Sequence, residues 1–314
     1  SGGLLLLRRI FSMANKNANL HKAKDAKNDE FYTQLTDVAK ELMHYKKHFK
    51  DKIVFCNCDD PTWSAFWKYF HLNFAELGLK KLISTHYDRE EATYKMEYTG
   101  GDDNDIEVGI KTPLEGNGDF RNKECLDLLD ECDVVVINPP FSNQLPTQLI
   151  KLCIKKNKKF LLISPLNTIK YKEFFPLIKE GKVWMGCGTV KEFLQPDGSI
   201  KKFGNIYWYT NLDHKKRHEK IILWKHYTPE EYPKYGTYNA VEVSKVSQIP
   251  VDYDGIMGVP ITYLDKHNPD QFDIIGEFNH GCDNVYDLAK PIINGKELYP
   301  RIAIRKKGLC EHEI

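Results

Sequence analysis

Apolar positions recur along this chain in two rhythms. Between Asp29 and Phe49 they fall at Leu35, Val38, Ala39, Leu42 and Met43, the spacing of one buried helical face. Ile53-Val54-Phe55-Cys56 is a continuous apolar run and predicts a first buried strand. Phe66, Trp67, Phe70, Phe74 and Leu77 return to helical spacing, with Pro61 where a helix can begin and Gly78 where it ends. Leu82 to His86 predicts a second strand. Tyr94 to Tyr98 and Ile106 to Ile110 predict a polar hairpin around a Gly/Asp-rich turn. Asn122 to Leu129 reads as a short helix, Val134 to Ile137 as a third core strand, Leu145 to Lys156 as a helix and Phe160 to Ser164 as a further strand. Strands of four or five apolar residues alternating with helices predict a parallel sheet covered by helices on both faces.

Beyond about residue 182 the rhythm changes. Short aromatic strands are expected at Val183 to Met185, Ile206 to Thr210 and Ile221 to Trp224, and Gly/Pro punctuation becomes frequent. The expected organisation is an unstructured or appended N-terminus over 1–28, a sheet domain over 29–185, and a region over 186–314 that completes the sheet and adds a mixed α+β part. Residues 1–12 read as sequence upstream of a natural start at Met13. No internal repeat is present.

Composition narrows this picture only slightly. The 314 residues are 41% hydrophobic and 28% charged, with a net charge of +1. No stretch approaches the roughly 20 apolar residues of a membrane span, and scattered cysteines read as the reduced thiols of a cytoplasmic protein. Charge alone does not signal nucleic acid, although a neutral total can conceal a basic cleft. The eight cysteines are scattered. Only Cys56 and Cys58 lie close together, which gives neither zinc spacing nor a disulfide framework. No metal is expected.

The candidate chemistry lies at Asn138-Pro139-Pro140-Phe141, directly after the third core strand. Two prolines there make a stiff extended turn, at the carboxyl end of a strand where open α/β sheets bind ligands. An aromatic amine is a poor nucleophile because its lone pair is delocalised into the ring. The Asn138 amide oxygen and the Pro139 carbonyl can accept both amine hydrogens and so favour the tetrahedral nitrogen that attacks a sulfonium methyl. Phe141 offers a stacking face worth roughly 1–3 kcal/mol. A base in a duplex must be extruded to reach such a site. The tetrad therefore predicts a methyltransferase using S-adenosylmethionine; the competing reading is a rigid strand exit with a buried Phe.

These segments resemble the EcoRI-type adenine-specific DNA methyltransferases. The resemblance runs from about Asp29 to Arg305 and is carried by DEFYT (29–33), VFCNCDDPTWSAF (54–66), DVVVINPPFS (133–142), KFLLISPLNT (159–168), GNIYWYTNL (204–212) and GVPITYLDKHNPDQF (258–272). It implies a Rossmann-like S-adenosylmethionine-dependent fold with a C-terminal target-recognition region, double-stranded DNA as partner, and N6 of a flipped adenine as acceptor. A monomer is expected; whether a cognate restriction endonuclease acts separately is not readable from the sequence. The catalytic residues implied are Asn138, Pro139, Pro140 and Phe141.

For the cofactor the resemblance implies Asn57, Asp59, Asp60 and Pro61 at the methionine end, Asp88 at the ribose hydroxyls, and Asp119 and Phe120 at the adenine, with Asn138 adjoining. Phe31 and Thr33 would close over it. The glycine-rich GxG turn common to methyltransferases is absent. Asp59 or Asp60 also reads as a helix N-cap, Asp88 as a turn residue and Asp119 as a helix cap. For the substrate, Tyr207 or Tyr209 would sandwich the base, although core packing suits them equally. Lys201, Lys202, Lys215, Lys216 and Arg217 would meet phosphates. Other readings stay open at this point: an RNA adenine or protein glutamine N-methyltransferase using the same tetrad, or a non-catalytic nucleic-acid-binding relic.

Overall fold

Four short apolar runs make the parallel centre of a nine-stranded sheet: β2 (Ile53–Cys56), β3 (Lys81–Thr85), β6 (Val134–Ile137) and β7 (Lys159–Pro165). The computed structural model describes residues 32–88, 92–141, 144–195, 198–279 and 284–308. The expectations for residues 1–28 and for Phe31 lie outside the described residues. All four residues of β2 and of β6 are buried, as in strands covered on both faces.

The strand order, β1-β8-β9-β7-β6-β2-β3-β4-β5, positions the site. From β2 the chain moves outward to β3. It later returns to β6 on the other side of β2 and continues outward to β7. The order therefore reverses between β2 and β6, the position outside whose carboxyl ends open α/β sheets bind ligands. Antiparallel strands complete the sheet: β4 (Tyr94–Tyr98) and β5 (Ile110–Pro113) beyond β3, and β9 (Ile200–Thr210), β8 (Trp184–Leu194) and β1 (Tyr32–Thr33) beyond β7. The result is a mixed α/β unit built on one large mixed sheet.

Several elements differ from the sequence expectation, each for an identifiable physical reason. The first helix, α1, spans only Leu35–Leu42. Tyr32–Thr33 pairs with β8 instead, opposite Leu194 and Phe193. After Leu42 the chain tightens into a 3₁₀ turn, Met43–His48, which changes the angular step per residue and leaves Met43 53% exposed.

Pro61 does not open the next helix. Asp60 accepts hydrogen bonds from the Thr62 amide and hydroxyl at 2.9 and 2.7 Å and holds a turn. Helix α2 (Ala65–Leu72) begins at Ser64, whose Oγ accepts the Trp67 amide at 2.9 Å. It passes through Asn73 into α3 (Phe74–Leu77), closed by Gly78 at φ 63°. Ser64→Ala should therefore destabilise the protein by about 1–2 kcal/mol, measured by urea denaturation; an unchanged midpoint would remove the cap.

In the hairpin, the second strand starts at Ile110 rather than Ile106. The Ile106 and Val108 carbonyls are bonded by Trp67 Nε1 and His71 Nε2, each at 2.9 Å, so this stretch covers α2 instead of pairing. Helices α4 (Lys123–Glu131) and α5 (Leu145–Lys155) precede β6 and β7 as expected. The strand expected at Ile221–Trp224 does not form. The Gln271 side-chain amide bonds both the N–H and the carbonyl of Ile221 at 2.8 Å, and Ile222 and Trp224 are 84% and 64% exposed.

The chain divides into two compact units, each discontinuous. The first ends at Pro165 and resumes for Gly188–Leu212; the second is Leu166–Cys187 with the chain from Asp213 onward. The second unit contains helix α6 (Phe175–Lys179) and a four-stranded sheet ordered β10-β11-β15-β12. Its strands are β10 (Val241–Glu242), β11 (Met257–Pro260), β12 (Phe272–Phe278) and β15 (Arg301–Lys306). Glu242, 4% exposed, is neutralised there by Arg301 at 3.0 Å and accepts the Tyr235 hydroxyl. The small hairpin β13 (Ile292–Ile293) and β14 (Lys296–Glu297) turns through Asn294 and Gly295, both at positive φ. Among the described residues no helix is long and apolar enough to cross a membrane, and no group of three His, Cys, Asp or Glu is placed to hold a metal.

Candidate active site

The tetrad leaves β6 at the reversal point of the sheet. Asn138 is half-buried, Pro139 buried, Pro140 exposed and Phe141 half-buried. The Phe141 ring meets Phe193 of β8 edge-on, with centroids 6.2 Å apart and planes at 83°. Phe193 in turn meets Phe203 of β9 at 5.5 Å and 87°. The tetrad's ring therefore rests on an aromatic column supplied by the strand pair β8 and β9.

The exits of β2 and β3 are tied together. Thr85 Oγ1 accepts from Asn57 Nδ2 at 3.0 Å and from the Cys58 amide at 3.1 Å, while the Asp59 amide donates to the Thr85 carbonyl at 2.9 Å. Asn57, 1% exposed, is thus a clasp beneath the loop. Cys58 follows at φ 53°, a left-handed conformation that glycine adopts more cheaply. The loop makes this turn without the glycine that the sequence lacks. The Cys58 thiol donates to the Gly118 carbonyl at 3.3 Å, and burial pushes its pKa far up.

Gly118 is where a third loop meets this pair. Its φ is 76°, and a Cβ built there would lie 2.3 Å from the His86 carbonyl oxygen. The segment before α4 can therefore lie directly on the β3 exit, and the Asp88 amide donates to the Asn117 carbonyl at 3.2 Å. Beside it, Asp119 accepts Arg121 Nε and Nη2 at 2.8 and 2.6 Å, and Phe120 is 9% exposed. Asp59, Asp60, Asp88 and Asp119 are thus brought onto three adjoining loops.

Neither Asp59 nor Asp60 is the helix cap; Ser64 is. Asp60 also accepts the Tyr94 hydroxyl at 2.8 Å. Asp59 accepts the Ser64 hydroxyl. Burial raises the Asp59 carboxyl from 3.8 to about 7; the Ser64 bond opposes this, the Asp60 charge adds to it, and Lys68 opposes it.

A carboxyl whose folded pKa is raised contributes stability that is complete below 3.8 and is lost as pH rises toward about 7. The wild type should therefore melt at a lower temperature at pH 7.5 than at pH 5.5 by a margin that Asp59→Asn reduces. Parallel melting-temperature profiles for the two proteins would refute the assignment.

Other expected site residues fall elsewhere. Thr33 is 7% exposed and lies in β1 opposite Phe193. Pro61 is buried. Tyr209 is a core residue, fully buried with its hydroxyl donating to the Pro165 carbonyl at 3.3 Å, whereas Tyr207 on the same strand is half-buried. Lys201 and Lys202 are exposed on β9, Lys202 near Glu192 at 3.2 Å.

Lys215, Lys216 and Arg217 belong to the second unit. Lys215 is exposed, but Lys216 is engaged by Asp265 at 2.6 Å and the Cys187 carbonyl at 2.9 Å, and Arg217 lies over the Trp184 ring at 3.7 Å. The last two are therefore not a solvated basic face. Sequence reasoning missed Cys58, Thr85, Gly118 and Phe193. Only Gly116-Asn117-Gly118 carried a signal, as a turn-forming run.

Comparison with known proteins gives a consistent relationship. The sequence profile described as "Adenine-specific methyltransferase EcoRI" matches residues 19–307. The Type II methyltransferase M.EcoRI of Escherichia coli is 44% identical over 328 aligned residues, covering 93% of this chain and 98% of that protein. The Type II methyltransferase M.MgeORF184P of Mycoplasma genitalium is 32% identical over 326 residues, covering 93% and 99%. The Type II methyltransferase M.MpnI of Mycoplasma pneumoniae is 36% identical over 277 residues, covering 81% and 84%. No solved structure matches the chain.

Proposed function

The chain belongs to the EcoRI family of adenine-specific methyltransferases and is a site-specific DNA adenine methyltransferase of the restriction–modification type, and we propose that it draws its methyl group from S-adenosylmethionine at the carboxyl ends of β2, β3 and β6. The set of acceptors fits that cofactor. Asp59, Asp60, Asp88 and Asp119 are acceptors on three loops in mutual contact, suited to a ligand that presents an ammonium, two hydroxyls and an aromatic amine. When bound, the cofactor supplies an electrophilic sulfonium methyl.

In this reading Asp59 and Asp60 meet the ammonium beside the start of α2, where helix N–H groups favour a carboxylate. A cation seated there would return the Asp59 carboxyl toward its ionised form. Asp88 takes the hydroxyls, and Asp119 and Phe120 take the amine and face of the cofactor's adenine. The Asn138 amide oxygen and the Pro139 carbonyl accept the two hydrogens of the target amine. The buried Pro139 ring keeps these acceptors from drifting, so their geometry is set before substrate arrives. Phe141 stacks the extruded base, with Tyr207 as the second aromatic.

We read the sheet as Rossmann-like and the second unit as the target-recognition region. Lys201, Lys202 and Lys215 are the exposed cations for DNA phosphates, and one subunit acts as a monomer beside a separate endonuclease. The single observation supporting this reading most is that Asn138-Pro139-Pro140-Phe141 leaves the sheet at its reversal point, next to the β2 exit that carries Asp59.

Labelled methyl transfer tests it. Purified protein is incubated with methyl-labelled S-adenosylmethionine and mixed-sequence duplex DNA, RNA or protein, and the product is identified by mass spectrometry. N6-methyladenine in DNA is expected. Label confined to RNA or to glutamine amides would overturn the proposal.

A further inference from the structure

The second unit contains a cavity of about 160 Å³ that the proposed chemistry does not use. That is room for an oxyanion with waters, taking about 30 Å³ for each water. Its lining includes Trp184, Arg217, Lys179 and Lys307, with Asp265 and Asp273. Arg217 is the informative residue. Its guanidinium carbon lies over the Trp184 ring, 3.7 Å from the centre. Its side chain is 20% exposed. Its Nε is buried with no hydrogen-bond partner, and its nearest carboxylate, Asp213, is 3.8 Å from Nη1.

A half-buried guanidinium whose buried Nε has no acceptor is costly until one completes it. The two carboxylates that line the cavity are engaged elsewhere. Asp265 is taken by Lys216 at 2.6 Å, and Asp273 faces Lys307 at 3.5 Å. Lys179 adds a further positive charge to the lining. The two lining histidines add none near neutral pH. Burial holds His267 down to about 4 and also lowers His214, whose Nε2 lies 2.9 Å from the Met185 carbonyl.

We propose that this cavity is an anion site for a phosphate group, with Arg217 as its planar donor on Trp184 and Lys307 and Lys179 as supporting charges. The planar fork of arginine suits two oxygens of one phosphate. Two sources carry that chemistry, a DNA backbone phosphodiester and a free phosphate-bearing molecule. The DNA source rests on the functional reading given above; the existence of an anion site does not.

The test uses the full chain in two measurements. Inorganic phosphate is titrated calorimetrically into wild type and Arg217→Gln. The salt dependence of duplex affinity is then measured for both. Wild type should bind phosphate, and the variant should bind it at least about tenfold more weakly, as expected for loss of a charge-assisted bidentate pair. If DNA is the source, the slope of log affinity against log salt should become shallower by about 0.9. Lost phosphate binding with an unchanged slope supports the free-ligand source.

The proposal is overturned if wild type binds no phosphate and Arg217→Gln leaves the slope unchanged. Should circular dichroism show Arg217→Gln unfolded, Lys307→Gln is scored by the same two readings. A wild type that methylates DNA yet fails both readings sinks the cavity alone. A wild type inactive on DNA sinks the functional reading and leaves the phosphate titration to judge the cavity.

Discussion

Asn138→Ala should lower the methylation rate constant by at least about 10²–10³-fold, the scale of losing one preorganised polar contact to a transition state, and leave cofactor affinity within about threefold. Asn138 stands one residue past a fully buried strand and is followed by two prolines, so its backbone is fixed by neighbours that the substitution does not touch. Truncation removes the acceptor proposed for the target amine. Asn138→Asp keeps an acceptor but adds a charge, and should recover part of the lost rate. Single-turnover kinetics with calorimetric cofactor binding separates the two effects. Near-normal turnover in the alanine variant would remove Asn138 from the chemistry, and an equal loss of cofactor affinity would make it a structural residue.

Gly118→Ala should disrupt the proposed cofactor loops. A methyl group there would lie 2.3 Å from the His86 carbonyl oxygen and 3.1 Å from Tyr87 Cα, both backbone atoms that cannot swing away. The positive φ adds roughly 1–2 kcal/mol for any residue with a Cβ. The segment 116–120 must lift off the β3 exit, and the thiols of Cys58 and Cys125 lose the Gly118 carbonyl they share, each at 3.3 Å. Cofactor affinity should fall more than about tenfold and stability by about 2–4 kcal/mol, in the range of backbone strain plus lost buried bonds. Gly295→Ala is the matched control. Its φ is 74° and nothing lies within 4 Å of the added carbon, so stability should fall by only about 1–2 kcal/mol with affinity unchanged. Equal losses in the two variants would show that φ alone matters and that the loop contact is incidental.

The parallel centre was legible in the sequence because its strands are buried on both faces. Val134 to Ile137 needs no partner to be read as a core strand, and Ile53 to Cys56 likewise. What escaped was set by side chains reaching across long sequence separations. The β5 strand moved to Ile110–Pro113 because Trp67 and His71 claim two carbonyls upstream of it. Ile221 is held by Gln271, fifty positions away, and no local pattern announces that. The tetrad was legible because Pro-Pro is stiff in any context. The loops at the β2 and β3 exits and before α4 were legible only as acidic turns. Their mutual contacts depend on Thr85 and Gly118, and their shape depends on a cysteine at positive φ, a conformation outside the ordinary preference of that residue.

The interleaving of the two units has a consequence for how the molecule is made. The sheet of the first unit needs β9 beside β7, yet Leu166–Cys187, which belongs to the second unit, is translated between them. A nascent chain emerging at about 5–20 residues per second cannot finish its first folding unit until Leu212 has cleared the ribosome. Before then the outer edge of β7 has no strand to cover it, which makes this interval the one most exposed to aggregation or chaperone capture. For the same reason, cutting the gene after Pro165 would not yield an independently stable half; a usable fragment must run through Leu212 or replace 166–187 with a short bridge.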